Sequence, residues 1–181
     1  MVEWIVFVIV SAVVVYFSWP SFRGRRRSHG FYRFFAFESI LGIVLLNARV
    51  WFFDPFTVRQ LISWLLLIAS LFLAGHGFRL LQRIGQPKGQ KGTIEGFEST
   101  TQLVTVGAYH YIRHPMYSSL LCLGWGAFLK GTNLLTLVLV MVCTAALVAT
   151  AKAEESENLA HFGEKYTRYM QRTKMFIPYL F

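Results

Sequence analysis

Cysteine is nearly missing. The two present, Cys122 and Cys143, sit inside apolar runs with no CxxC spacing, which excludes a disulfide framework and marks them as small buried hydrophobes. Acidic residues are scarce too, 9 against 18 lysines and arginines. A basic chain invites nucleic-acid binding, but these cations stand in short clusters between long apolar blocks, as in cytoplasmic membrane loops, and no recognition motif accompanies them. HExxH is absent, which removes one metal chemistry, and no Gly-x-Ser-x-Gly elbow offers an activated serine. The glycines at Gly85, Gly89, Gly92 and Gly96 are spaced as in a flexible linker, without the flanking strand a phosphate-binding turn needs. What the chain has in plenty is apolar surface, 55% of its residues, which places it outside both ordinary soluble domains and disordered chains.

Spanning the hydrocarbon takes about 20 apolar residues. Residues 2–19, with Trp4 and Trp19 near the ends, predict a first transmembrane helix. Glu3 at the amino end and Arg23, Arg25, Arg26 and Arg27 after the apolar run argue against a cleaved signal and for an amino terminus outside. Residues 31–53 predict a second span that Asp54-Pro55 stops, because proline cannot continue a helix. Residues 60–81 give a third, and Arg83, Lys88 and Lys91 mark its far side as cytoplasmic. Residues 116–129 and 134–151, joined at Lys130-Gly131-Thr132-Asn133, read as a helical hairpin, in which Gly124 and Gly126 permit close helix contact. The first arm covers only about 21 Å, so it starts earlier, tilts or thins the bilayer. In the tail Leu159, Phe162, Tyr166, Tyr169 and Met170 recur at helical spacing. The expected fold is therefore all-α and polytopic, with about five transmembrane helices, a cytoplasmic loop and an amphipathic C-terminal helix. It divides into three N-terminal spans, residues 1–82, and a region carrying the chemistry, residues 83–181.

The chemistry-bearing residues cluster at residues 103–117, LVTVGAYHYIRHPMY. His110 and His114 stand four apart, yet Pro115 makes this segment a turn or helix start, so no metal site is expected. His76, between Gly75 and Gly77 on an apolar helix, reads as a packed or pore-facing histidine. A hairpin brings its two ends together, so Arg113, His114 and Tyr117 should approach Lys152, Glu154, Glu155 and Glu157. Ordinary interfacial charges with an Arg113–Glu154 salt bridge, or a site, both satisfy that pattern. Glu38, inside the second span, either lines such a site or pairs with Arg33 or Arg79.

Leu103-Val-Thr-x-Gly107-x-Tyr109-x-Tyr111-x-Arg113-His114-Pro115-x-Tyr117, a hydrophobic hairpin, Glu154-Glu155-x3-Leu159-x2-Phe162-Gly163-x2-Tyr166-x2-Tyr169 and a closing Phe176-Ile177-Pro178 follow one another here. This order and spacing, over residues 98–181, resembles the isoprenylcysteine carboxyl methyltransferase and phospholipid methyltransferase superfamily. The resemblance implies S-adenosylmethionine as cofactor. It assigns Tyr109, Arg113, His114, Pro115, Tyr117, Glu154 and Glu155 to the cofactor pocket, with the tail closing over it; backbone groups around Thr105 to Tyr109, Gly107 among them, suit the adenosine or the methionine end. Carboxylates suit the cofactor's cations, and an arginine suits a carboxylate. Arg113 and Glu155 are the expected catalytic residues, Arg113 orienting a carboxylate acceptor or equally holding the cofactor's own carboxylate, Glu155 or His114 taking the proton of an amine. The acceptor is expected to be lipid-like and to enter from the bilayer, with O-methylation of a prenylated cysteine carboxylate as the reference activity. Phospholipid amine N-methylation is the near alternative. An NADPH-dependent sterol-type reductase, whose family shares Arg-His-Pro-x-Tyr, is the alternative of another class.

Overall fold

A computed structural model describes residues 2–23, 29–85 and 102–180. Six α-helices appear there: α1 Val2–Arg23, α2 His29–Leu46, α3 Val58–Leu80, α4 Pro115–Phe128, α5 Leu134–Phe162 and α6 Glu164–Arg172. A π turn, Leu81–Gly85, continues α3, and a 3-10 turn, Gly107–His110, precedes α4. The described residues hold no strand, and their one β-type pairing is a parallel bridge between Ile112 and Lys174. The all-α expectation holds. The basic residues Arg25, Arg26, Arg27, Lys88 and Lys91, with most of the glycine-rich loop, lie outside the described residues.

The chain forms two compact units, one of Met1–Ala69 with Leu120–Glu154 and the other of Ser70–Ser119 with Glu155–Phe181. In the first, α1 packs on α2, and Ile43, Ala127 and Val140 make a buried core flanked by Val44, Trp51, Trp125, Phe128 and Leu139. Cys143 is buried and Cys122 half-buried, both as free thiols. Burying one large apolar side chain is worth roughly 1.5–3 kcal/mol against water. Against lipid only close packing and polar ties remain, and both are visible here. At Gly126 an added Cβ would sit 3.0 Å from Leu67 and 3.2 Å from the Ser63 carbonyl. The hydrogen lets α3 and α4 close until Ser63 Oγ donates to the Gly126 carbonyl at 2.7 Å.

Helix boundaries differ from the sequence pattern in instructive ways. α2 ends at Leu46 rather than at residue 53, because Asn47 turns its Nδ2 to the Ala127 carbonyl, 2.8 Å away, and a 3-10 turn follows. α4 begins at Pro115, since proline at the first helical position gives up an N–H that has no intrahelical partner anyway. It does not start earlier, so its 14 residues span about 21 Å. α5 runs unbroken past its apolar part to Phe162, so Leu159 and Phe162 belong to it and not to a separate tail helix. Gly163, at φ 57°, breaks the chain before α6.

Among the described residues, Val58–Gly85 and Leu134–Phe162 are long and apolar enough to cross a membrane, whereas the apolar stretch Trp4–Tyr16 of α1 is shorter. Large apolar side chains stand uncovered on these helices, Leu65 at 68% and Leu71 at 76% exposure among them. Glu38 takes neither expected arginine. Its Oε2 accepts from Ser11 Oγ of α1 at 2.7 Å, and its buried Oε1 has no partner among the described residues.

Candidate active site

The second unit gathers residues 107–117, the first turn beyond Glu154 on α5, and the C-terminal segment. Arg113 is its centre. Nε donates to Glu155 Oε1 at 2.6 Å, and Nη1 donates to the carbonyls of Thr173 and Met170. Three acceptors from two elements hold a guanidinium whose side chain is only 10% exposed. Its Nη2 makes no hydrogen bond among the described residues.

Glu155, not Glu154, is the carboxylate that meets Arg113. His114 Nε2 lies 3.3 Å from the same Oε1, so both contacts fall on one oxygen and Oε2 has no partner among the described residues. Burial pushes the Glu155 carboxyl up. The hydrogen bonds and charges of His114 and Arg113 outweigh that and hold it below the usual carboxylate range. Glu154 is half-buried one residue earlier, about 100° around the helix.

His114 is buried, its ring stacked on Tyr117 at 5.5 Å and tilted against Phe176 at 6.1 Å. The C-terminal segment lies alongside residues 111–114 through Arg113 N to Lys174 O, His114 N to Met175 O and Lys174 N to Tyr111 O, 2.8–3.1 Å. Ser118 Oγ reaches the Phe176 carbonyl at 2.8 Å, and Tyr169 Oη donates to the Tyr109 carbonyl at 2.6 Å. Burial raises the Tyr169 phenol well above its usual range, so it stays a donor. Tyr169→Phe removes this bond and leaves a carbonyl unsatisfied, so thermal melting in detergent should show a loss of about 1–3 kcal/mol. An unchanged melting point would mean the contact contributes nothing.

Gly107 takes φ 62°, and a Cβ there would lie 2.5 Å from His76 Nε2 and 2.7 Å from Leu80. His76 is the packed histidine of the two readings its sequence position allows. Its ring stacks on Phe72, and Nε2 accepts the Ala108 N–H at 3.3 Å, fastening the turn before Tyr109 to α3. The sequence signal was weak, a lone histidine between glycines. Gly107→Ala carries both the backbone strain of a positive φ, about 1–2 kcal/mol, and the clash. It should lower the melting temperature and cut activity more than Gly75→Ala, where a Cβ meets open space.

The structure thus brings Tyr109, Arg113, His114, Pro115, Tyr117 and Glu155 into one unit, with Tyr109 and Pro115 buried. Thr105 is exposed ahead of the 3-10 turn and takes part in none of the contacts above. His110 is exposed and packs on Tyr111 rather than beside His114, so the i, i+4 pair is not realised. Thr173, Met170, Phe176 and Ser118 complete the cluster, mostly through backbone carbonyls, which side-chain motifs do not display.

The sequence has relatives. The chain is 27% identical over 149 residues to methanethiol S-methyltransferase of Crocosphaera subtropica, covering 75% of this chain and 53% of that protein. Methanethiol S-methyltransferase 1 of Bradyrhizobium diazoefficiens is 29% identical over 65% of this chain and 39% of its own length. The Pseudomonas deceptionensis protein of the same name is 27% identical over 79% and 48%. The chain spans about half the length of these curated relatives or less. The sequence model of the phospholipid methyltransferase family matches residues 58–165, which include α3, α4, α5, Arg113 and Glu155. The chain belongs to the phospholipid methyltransferase family.

Proposed function

We propose that the chain is a membrane-embedded, S-adenosylmethionine-dependent methyltransferase whose acceptor is a thiol. The observation that carries this is the Arg113–Glu155–His114 cluster, in which one carboxylate oxygen and one guanidinium nitrogen are left over. Their opposite charges suit the two ends of an amino acid, and the ionised Glu155 also suits a sulfonium. When bound, S-adenosylmethionine supplies an electrophilic methyl group on a cationic sulfur. Tyr109, Pro115 and Tyr117 would line the same pocket, with backbone groups around Thr105 to Tyr109, Gly107 among them, holding the adenosine or the methionine end. The chain's own part is to align the acceptor, exclude water and hold the proton that a thiol sheds. The His114–Glu155 pair is suited to that proton, the carboxylate balancing the charge of the imidazole.

Two considerations favour a thiol over the prenylcysteine carboxylate that the motifs first suggest. The relatives' names specify thiol methylation. Arg113 has already committed Nε and Nη1, so it offers no bidentate fork to a carboxylate acceptor.

In the membrane, α1 to α5 would form five spans, amino terminus outside and carboxyl terminus cytoplasmic, with residues 83–181 as the catalytic region facing the cytoplasm. Uncovered apolar side chains on α1, α3 and α5 support it. So does the meeting of the α2–α3 and α4–α5 connections, through Asn47 and Arg59, as alternating spans require.

Purified protein in detergent, given methyl-labelled S-adenosylmethionine, should transfer label to methanethiol. It should transfer little to a farnesylcysteine analogue or phosphatidylethanolamine. Transfer to the farnesylcysteine carboxylate instead would restore the O-methylation reading, and transfer to the phospholipid amine the N-methylation reading.

A further inference from the structure

At the other end of α4, the connection Leu129–Asn133 and the connection between α2 and α3 enclose a cleft of about 400 Å³ within the first unit. Lys130 and Arg59 both line it. Lys130 is 1% exposed. Its Nζ donates to Gln60 Oε1 at 2.9 Å and stands 3.4 Å from the centre of the Trp64 ring, with Trp51 at 5.6 Å. Arg59 Nη1 donates to the carbonyls of Leu129 and Lys130, while Nε and Nη2 have no partner among the described residues. Neither cation is ion-paired there.

Two like charges held together with no carboxylate between them repel, and burial deepens the cost. Burial and the Arg59 charge hold the Lys130 ammonium below the usual lysine range. An anion in the cleft removes that cost and takes up the idle guanidinium donors. The rim decides which anion. Leu46, Val50 and Phe53 line one part of the cleft beside Asn47, Thr132 and Asn133, and with Leu46 and Phe53 49% and 65% exposed, apolar surface adjoins the cationic residues. That combination fits an amphiphile. We propose that this cleft binds the phosphate of an anionic lipid headgroup, at a site separate from the Arg113–Glu155 cluster and independent of methyl transfer.

Native mass spectrometry of the full chain in detergent, with dioctanoyl phosphatidylglycerol, dioctanoyl phosphatidylcholine and inorganic phosphate as probes, tests this. The zwitterionic lipid should bind at least about tenfold more weakly than the anionic one, because its choline meets no acid. Thr132 is exposed at the rim, so Thr132→Glu adds a repelling carboxylate without disturbing the Arg59 contacts and should weaken phosphatidylglycerol by about tenfold or more. Arg59→Gln should do the same if that variant does not fold. Equal binding of the two lipids, or unchanged binding by a folded variant, overturns the proposal. Inorganic phosphate binding as tightly as phosphatidylglycerol would identify a free anion as the occupant and overturn the lipid assignment.

Discussion

Arg113→Ala is expected to lower the melting temperature of the detergent-solubilised protein sharply and to abolish methyl transfer. Its guanidinium satisfies a buried carboxylate and the carbonyls of Thr173 and Met170 at once. Removing one partner of a buried ion pair costs about 3–5 kcal/mol, mostly because the other charge stays buried. Arg113→Lys keeps the charge but not the fork, so it should fall between wild type and alanine. A folded Arg113→Ala protein that melts like wild type would show that the cluster does not hold the C-terminal segment. The same contacts set a pH dependence. The Glu155 carboxyl is depressed below its ordinary value of 4.5. Its stabilisation is therefore complete above about that pH and lost as pH falls through the lower folded-state value. Glu155→Gln should flatten that acid limb of the melting curve; an unaltered limb would assign it to other carboxyls.

Glu155→Gln has the second large effect, on catalysis rather than folding. The amide keeps the shape and an oxygen that can still accept from Arg113, and the carbonyls of Met170 and Thr173 still hold the guanidinium, so the melting change should be smaller than that of Arg113→Ala. What it removes is the negative charge proposed to face the sulfonium of S-adenosylmethionine and to balance the imidazole once it takes a proton. Losing a charge-assisted contact of about 1.5–3 kcal/mol, together with proton transfer, should cut kcat/KM by about 100-fold or more. Raising the pH towards the ionisation of a thiol acceptor should recover part of this, because a thiolate needs no base. Wild-type kcat/KM in the folded variant would remove Glu155 from the active site.

Much of this site can be read from the residue order. The Arg-His-Pro segment announces a helix start, and a hairpin returns its second arm to the first, so an acid after residue 151 meets Arg113. Which glutamate does so was not evident. Thr136, Val140, Cys143, Leu147 and Ala151 form the buried stripe of α5, and steps of three and four carry it to Glu155. On a helix apolar all round, that face is chosen by packing and not by periodicity. The end of α2 was hidden for a similar reason. Pro55 is a visible stop, but Asn47 ends the helix earlier through a carbonyl 80 residues away. Likewise the acceptors that fix Arg113 are main-chain oxygens of Met170 and Thr173, whose positions depend on the break at Gly163.

Isothermal titration of the purified full chain with S-adenosylhomocysteine and, separately, with NADPH asks the central question of what the Arg113–Glu155 cluster binds. Saturable binding of S-adenosylhomocysteine, weakened about tenfold or more in Glu155→Gln, with no heat from NADPH, is the expected result. Binding of NADPH without S-adenosylhomocysteine would contradict the methyltransferase reading and restore the reductase.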